Sequence, residues 1–140
     1  MAKVETSISI NKPVEKVYAF ITNPLNMKSL SPATTGVLFD GKIAVGSRYT
    51  VQSKYGAREF NSVSEMVVLE PNKTYAVKAI ATPPATDVVS TYTFEKEGSG
   101  TKLHLSMDAA VMPGTEGMVI PQLRAGLDTS LAAFKKAIEG

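Results

Sequence analysis

Apolar and polar residues alternate at the start of the chain. Residues 4–11 read V-E-T-S-I-S-I-N, and this period of two is typical of a strand with one buried face. Pro13 follows, and its fixed φ suits the first turn of a helix. The apolar positions then change to helical spacing: Val14, Val17, Tyr18 and Ile21. We predict a first strand and then a helix from about Pro13 to Thr22.

A second short helical turn is predicted directly after the first helix. Asn23-Pro24 ends that helix, because a residue before proline avoids helical geometry. Three apolar residues at short spacing then favour one further turn: Leu25, Met27 and Leu30.

Residues 33–113 predict an antiparallel meander. Short runs rich in Val, Thr, Tyr and Phe are separated about every ten residues by pairs or triplets that favour turns. These are Asp40-Gly41, Tyr55-Gly56, Pro71-Asn72, Pro83-Pro84 and Gly98-Ser99-Gly100. The turns divide the segment into six strands, so a seven-stranded antiparallel sheet is expected.

One parity of each strand is assigned to the inner face of this sheet, since successive side chains point to opposite faces. The inner positions are Tyr49 and Val51; Tyr75, Val77 and Ala79; Tyr92 and Phe94; and Leu103, Leu105, Met107, Ala109 and Val111. The strand from Arg58 to Glu70 keeps no single parity, because residues 66–69 are four consecutive apolar residues. A β-bulge there would explain the pattern, and the register of this strand stays open.

Residues 115–139 predict a long C-terminal helix with three stripes along its surface. Pro121 falls in its first turns, where it is expected to kink the helix or delay its start. The large apolar stripe is Ile120, Leu123, Leu127, Leu131, Phe134 and Ile138, and the charged stripe is Arg124, Asp128, Lys135 and Glu139. The small-residue stripe is Val119, Gln122, Gly126, Ser130, Ala133 and Ala137. With the charged stripe placed towards water, the small-residue stripe is expected to face away from water most directly.

Composition limits the kind of protein this can be. The chain has 140 residues, of which 44% are hydrophobic and 20% charged, so a single globular domain over residues 1–140 is expected. Cysteine is absent, which excludes disulfides and thiolate chemistry and favours a cytoplasmic location. No apolar leader or membrane-spanning stretch is found, so no stable membrane insertion is expected. The net charge of +2 without a basic run makes nucleic acid an unlikely partner.

The order of these elements resembles the helix-grip fold of the START and birch-pollen-allergen-like (SRPBCC) superfamily, and within it the bacterial polyketide cyclase/dehydrase branch. The resemblance covers the whole chain and depends on residues 8–21 (I-S-I-N-K-P-V-E-K-V-Y-A-F-I), Val45-Gly46-Ser47-Arg48-Tyr49 and Leu69-Glu70-Pro71. These motifs are mainly structural. The resemblance implies an α+β fold in which the sheet wraps around the last helix, with two short helices between the first two strands. It also implies an apolar ligand held between sheet and helix.

Few residues of this sequence favour catalysis. His104 is the only histidine, and its parity places it on the outer face. No metal site, phosphate-binding loop or cofactor is predicted, and no catalytic residue is assigned. Arg58 is the cation expected nearest the pocket. The inner tyrosines fit either plain core packing or ligand contact, since each brings a polar tip into an apolar space.

The sequence therefore predicts a protein that binds a small hydrophobic molecule, such as a lipid, a polyketide or an aromatic compound. The expected ligand-binding residues are Phe20, Leu30, Tyr49, Tyr75, Tyr92, Met107, Met118, Gln122, Gly126 and Ser130. Two alternatives stay open: a polyketide cyclase or dehydratase in which Tyr49 and Tyr92 polarise carbonyls, and an interaction module like the chaperone co-activators of the same fold. The sequence makes no prediction of the ligand's identity or of the oligomeric state.

Overall fold

A computed structural model describes residues 2–29, 34–39, 41–80, 88–109 and 114–139. The strands are β1 (Ala2–Ile10), β2 (Thr34–Leu38), β3 (Arg48–Tyr55), β4 (Arg58–Glu70), β5 (Thr74–Ile80), β6 (Val88–Glu97) and β7 (Gly100–Ala109). The helices are α1 (Val14–Thr22), a 3-10 helix (Pro24–Ser29) and α2 (Glu116–Glu139).

Over the described residues the strands form one seven-stranded antiparallel sheet in the order β1-β7-β6-β5-β4-β3-β2. The two short helices lie between β1 and β2 in sequence, and α2 packs on the inner face of the sheet. This confirms the predicted helix-grip fold. Pro13 is the N-cap of α1 with φ −61°, as its position before the helix predicts. Pro121 lies inside α2, so it does not delay the start of that helix.

Three of the predicted turns connect neighbouring strands. Gly56, Asn72 and Gly98 have φ values of 63°, 60° and 60°, the left-handed conformation that glycine and asparagine adopt most easily. Asp40 and Pro83-Pro84 lie outside the described residues. Gly100 begins β7 beside the end of β1, where a Cβ would stand 2.6 Å from the carbonyl oxygen of Ile10. This close approach of two backbones requires glycine.

The bulge suggested by the apolar run in β4 is present. The register between β4 and β5 shifts between Met66 and Val68, so one additional residue of β4 is accommodated there. Met66 is fully buried. The bulge explains how a strand with four consecutive apolar residues keeps apolar side chains on the inner face.

The core lies between the inner face of the sheet and one side of α2. On β6 and β7 the inward positions are buried: Tyr92, Phe94, Leu103 and Leu105 are at most 8% exposed. From α2, the buried residues belong to the large apolar stripe: Leu127, Leu131 and Phe134.

The small-residue stripe of α2 does not face away from water as predicted. Gly126 and Ser130 are exposed, and a Cβ built on Gly126 meets no atom within 4 Å. Burying the larger Leu and Phe side chains removes more apolar surface from water, and this decides which side of the helix faces the sheet.

The charged stripe of α2 lies along β1, at the edge of the sheet. Thr6 Oγ1 donates a hydrogen bond to the Asp128 carboxylate. Lys135 Nζ donates to the carbonyl oxygen of Ser9 at 2.7 Å, and Glu139 Oε2 accepts from the backbone N–H of Asn11 at 2.8 Å. These contacts fix the C-terminal half of α2 against the edge strand.

None of the helices in the described ranges has the length and apolarity needed to cross a membrane.

Candidate ligand-binding site

Three of the predicted tyrosines converge on the inner face of the sheet. Tyr75 of β5 and Tyr92 of β6 are direct cross-strand partners, and their rings stack with centroids 5.8 Å apart and planes inclined by 22°. Tyr49 of β3 is 5% exposed. Their hydroxyls are close enough to influence one another electrostatically, so phenols from three strands meet in one buried place.

The hydroxyl of Tyr75 is the unusual member of this group. Tyr75 is 1% exposed, and within the described residues its Oη has no hydrogen-bond partner of good geometry. The hydroxyl of Tyr49 lies near both Tyr75 and Ser64, its cross-strand partner on β4. A buried hydroxyl without a partner costs about 1–3 kcal/mol, so the Tyr75 hydroxyl is a donor available to a bound molecule.

Burial raises the pKa of Tyr49, Tyr75 and Tyr92 above the ordinary value of a phenol. For Tyr75 and Tyr92, the neighbouring hydroxyl of Tyr49 raises the pKa further. All three phenols therefore stay protonated at neutral pH. They can donate hydrogen bonds to a carbonyl or hydroxyl oxygen, and they do not act as general bases under these conditions.

Other aromatic residues enclose the tyrosines. Phe134 of α2 meets Tyr92 edge to face with centroids 5.9 Å apart, and Phe20 of α1 meets Phe134 at 6.4 Å. Tyr18 of α1 packs on Phe94 at 5.2 Å. Of these residues, only Phe20 is predicted from the sequence to line the site. Tyr18 and Phe134 could have been found as well, because each occupies an apolar helical position beside residues predicted to be buried.

The inner face changes from closed to open along the strands. Tyr75 is buried, Val77 is partly buried and Ala79 is exposed. Ser90, the partner of Val77, and Met107, the partner of Ser90, are partly buried as Val77 is. The aromatic end is therefore closed and polar at its base, whereas the aliphatic end opens to solvent.

The predicted helix residues lie on the open side of α2. Met118 is 73% exposed, and Gln122, Gly126 and Ser130 are exposed too. None of them contacts the tyrosine cluster as the apolar stripe does, and their ligand contacts stay predictions. Leu30 lies outside the described residues.

The other candidate residues lie away from the tyrosines. Arg58 is exposed at the β3–β4 hairpin, six residues along β4 from Ser64, which corresponds to about 20 Å. His104 is on the outer face as predicted, its side chain 43% exposed and 3.2 Å from Glu95. In the part of the chain that the structure describes, no three His, Asp or Glu side chains gather as a metal site requires.

Solved structures with the same architecture define the class of fold. The di-domain ARO/CYC BexL from the BE-7585A biosynthetic pathway has a TM-score of 0.81 at 20% identity, covering 99% of this chain and 47% of BexL. Protein MLL2253 from Mesorhizobium loti gives 0.77 at 20% identity over 99% of this chain and 97% of its own. Ara h 8.0201 gives 0.75 at 14% identity over 98% and 97%. At these identities the likeness establishes the helix-grip fold.

The family is established by the sequence. Residues 1–139 match the model of the family described as polyketide cyclase / dehydrase and lipid transport, and the chain belongs to that family. This confirms the predicted branch of the superfamily. A comparison with curated proteins found no match.

Proposed function

We propose that this protein binds a small, largely apolar molecule between the sheet and α2, with a hydrogen-bond acceptor of that molecule directed at Tyr75. The observation that carries the proposal is the buried Tyr75 hydroxyl, which has no hydrogen-bond partner of good geometry among the described residues and lies close to the Tyr49 hydroxyl. The aromatic rings around it would contact the apolar part of the ligand. The open aliphatic end of the inner face would admit the ligand.

A ligand carbonyl fits this place better than a carboxylate. The phenols are protonated donors, and among the described residues no cation accompanies them in the way that a buried anion requires. A neutral ketone, ester or quinone oxygen would accept the Tyr75 proton without bringing a charge into the core. The expected ligand is therefore a neutral, mostly apolar carbonyl compound, of aromatic or polyketide-like character.

A matched pair of ligands tests this proposal. Displacement of an apolar fluorescent dye is measured with 2-acetylnaphthalene, which has a carbonyl, and with 2-ethylnaphthalene, which lacks one. We expect Tyr75→Phe to weaken the binding of 2-acetylnaphthalene by about tenfold, which corresponds to one buried hydrogen bond. The binding of 2-ethylnaphthalene should stay almost unchanged. Thr93→Val, on the outer face of the sheet, is the control and should change neither.

Two outcomes would contradict the proposal. Equal loss of both ligands in Tyr75→Phe would mean that the hydroxyl does not contact the carbonyl. Failure of every neutral carbonyl compound to displace the dye would argue against this ligand class. Native mass spectrometry of the purified protein then shows whether an apolar molecule accompanies the chain.

A cyclase or dehydratase is the second candidate, and the convergence of three phenol hydroxyls favours it. Tyr49 and Tyr75 could polarise one ketone of a polyketone chain, which would make its α-protons more acidic and assist ring closure. Incubation with a short aromatic β-polyketone, followed by mass spectrometry, would detect loss of water. If the protein is a cyclase or dehydratase, Tyr49→Phe should lower the rate at which water is lost.

The interaction-module alternative has one supporting observation. Leu38, Ile43 and Val45 are large hydrophobic side chains within eight residues of one another and are 58%, 45% and 64% exposed. Such exposure can mark a protein contact. Leu38→Ser combined with Val45→Ser should leave dye binding intact while abolishing the capture of any protein partner.

A further inference from the structure

A polar groove among the described residues lies on the outer face of the sheet, opposite the tyrosine cluster. It has a volume of about 710 Å³ and is lined by residues of β1, β6 and β7 together with Arg124 of α2. Arg124 reaches it because α2 packs along β1, at the edge of the sheet. The groove is thus a separate place from the proposed apolar site.

Two cross-strand rows of polar side chains form the floor of this groove. Ser7, His104 and Thr93 are register partners across β1, β7 and β6. Glu5, Ser106 and Thr91 form the neighbouring row in the same way. Adjacent strands are about 4.8 Å apart, so the floor is a regular array of closely spaced donors and acceptors.

The acidic and basic side chains of the groove differ in whether they are paired with an opposite charge. Glu5 lies 3.4 Å from Lys3, and Glu95 lies 3.2 Å from His104. Among the described residues no carboxylate pairs with Arg124. The guanidinium is therefore the charged donor left for a ligand, while the carboxylates keep further lone pairs that can accept hydrogen bonds.

We propose that this groove binds a polyhydroxylated ring, either a free sugar or the sugar part of a glycoside. An apolar molecule would leave the hydroxyl floor and the charged rim without partners. A simple anion could accept from Arg124, but it has no proton to donate to Glu5 or Glu95. Neighbouring ring hydroxyls both donate and accept, so they match serine and threonine hydroxyls, the carboxylates and the guanidinium together.

Titration followed by 15N–1H NMR tests the assignment on the whole protein. The probes are glucose, methyl α-glucoside and maltose, with sodium sulfate as the anion arm. We expect at least one sugar to give saturable shifts for the amides of Ser7, Thr93, His104 and Ser106. Arg124→Ala and Thr93→Val should each weaken this binding by about three- to tenfold. If the methyl glucoside binds as tightly as glucose, the groove accepts the sugar part of a glycoside. If glucose alone binds, the ligand is a free sugar.

Two control variants distinguish ligand binding in the interior from sugar binding in the groove. Tyr75→Phe should leave the sugar titration unchanged, and Arg124→Ala should leave dye binding unchanged. Saturable shifts with sulfate but with none of the sugars would overturn the proposal in favour of an anion site. The absence of saturable shifts with every sugar, in a protein whose spectrum shows it to be folded, would overturn it as well.

Discussion

The ring of Phe134 stands perpendicular to the ring of Tyr92, with the centroids 5.9 Å apart. This contact joins α2 to the sheet, and both rings are buried. The aromatic end of the candidate site depends on it, because Phe20 packs on the other side of Phe134.

Phe134→Ala should therefore lower the free energy of unfolding by about 3–5 kcal/mol, the usual loss for truncating a buried phenylalanine. Urea denaturation followed by circular dichroism measures this value. Lys136→Ala, two residues along the same helix and exposed, is the control and should stay within about 0.5 kcal/mol of the wild-type protein. A loss below 1 kcal/mol for Phe134→Ala would mean that α2 contributes little to the core.

Removing the Tyr75 hydroxyl should not destabilise the unliganded protein. Among the described residues the Tyr75 hydroxyl has no hydrogen-bond partner of good geometry, so Tyr75→Phe should leave the free energy of unfolding unchanged or raise it by about 1 kcal/mol. Tyr49→Phe is the matched comparison, because the Tyr49 hydroxyl lies beside both Tyr75 and Ser64, and its removal should be destabilising. If Tyr75→Phe loses more stability than Tyr49→Phe, the hydroxyl of Tyr75 has a partner in the folded protein.

High pH should unfold the protein cooperatively. The pKa values of Tyr49, Tyr75 and Tyr92 are raised above 10.0 in the folded state, so above that pH the unfolded chain binds fewer protons than the folded one. Stability is then fully present below pH 10 and falls above it by up to about 1.4 kcal/mol per pH unit for each phenol that stays protonated in the folded state. Tyrosinate absorbance and circular dichroism should change together. Tyr92→Phe should make the loss of stability with pH less steep, whereas ionisation of all tyrosines near pH 10 without loss of structure would contradict this expectation.

Alanine substitutions at two glycines should change the stability of the protein in opposite directions. Gly126→Ala should stabilise the protein by about 1 kcal/mol, because Gly126 is in mid-helix and its Cβ would meet no other atom within 4 Å. Gly100→Ala should destabilise it by about 1–3 kcal/mol, since its Cβ would overlap the carbonyl oxygen of Ile10. Thermal unfolding of both variants in the same buffer gives the comparison.

Gly126→Phe tests whether the open flank of α2 lines the ligand. The ring has space there, so the stability of the variant should stay close to that of the wild-type protein. A loss of dye binding in this stable variant would place Gly126 beside the ligand. A strongly destabilised variant would show that this flank is close-packed and would reject a cavity at Gly126.

The Glu139 carboxylate should hold the end of β1 in place. The N–H of Asn11 and then the ammonium of Lys135 lower the pKa of Glu139 below 4.5, so its contribution is present above that pH and is lost as pH falls through the lowered value. Glu139→Gln should raise the exchange rate of the Asn11 amide hydrogen at neutral pH. Glu15→Gln, on the exposed side of α1, should leave that rate unchanged.

Alternation along the strands predicted which side chains are buried on the inner face, because a strand can turn only one parity towards a core. Tyr49, Tyr75 and Tyr92 were found in this way. Of the predicted inner positions, Ala79 is exposed and Val111 lies outside the described residues. The bulge near Met66 was also visible, since four consecutive apolar residues cannot all face inward. Local patterns of this kind are determined by backbone geometry, and a single sequence displays them directly.

The orientation of α2 was not predictable by the same reasoning. The prediction assumed that the charged stripe faces water. Asp128, Lys135 and Glu139 instead lie against β1 and form hydrogen bonds with its polar groups. Their partners are a side-chain hydroxyl, a backbone carbonyl and a backbone N–H at the edge of the sheet. No residue pattern in the sequence marks an edge strand, so these hydrogen bonds could not be predicted. The missing Tyr75 hydrogen bond is likewise a property of the assembled core, because it depends on groups from three strands.

The contacts of Lys135 and Glu139 also affect how this sheet can associate with another copy of itself. A strand added at an edge must pair with outward-pointing carbonyl and N–H groups, and at Ser9 and Asn11 those groups are already bonded to α2. Pairing with another strand is therefore blocked at the C-terminal end of β1, where α2 already occupies these groups. The helix that packs on the inner face of this sheet thus also shortens the edge that the sheet offers to another strand.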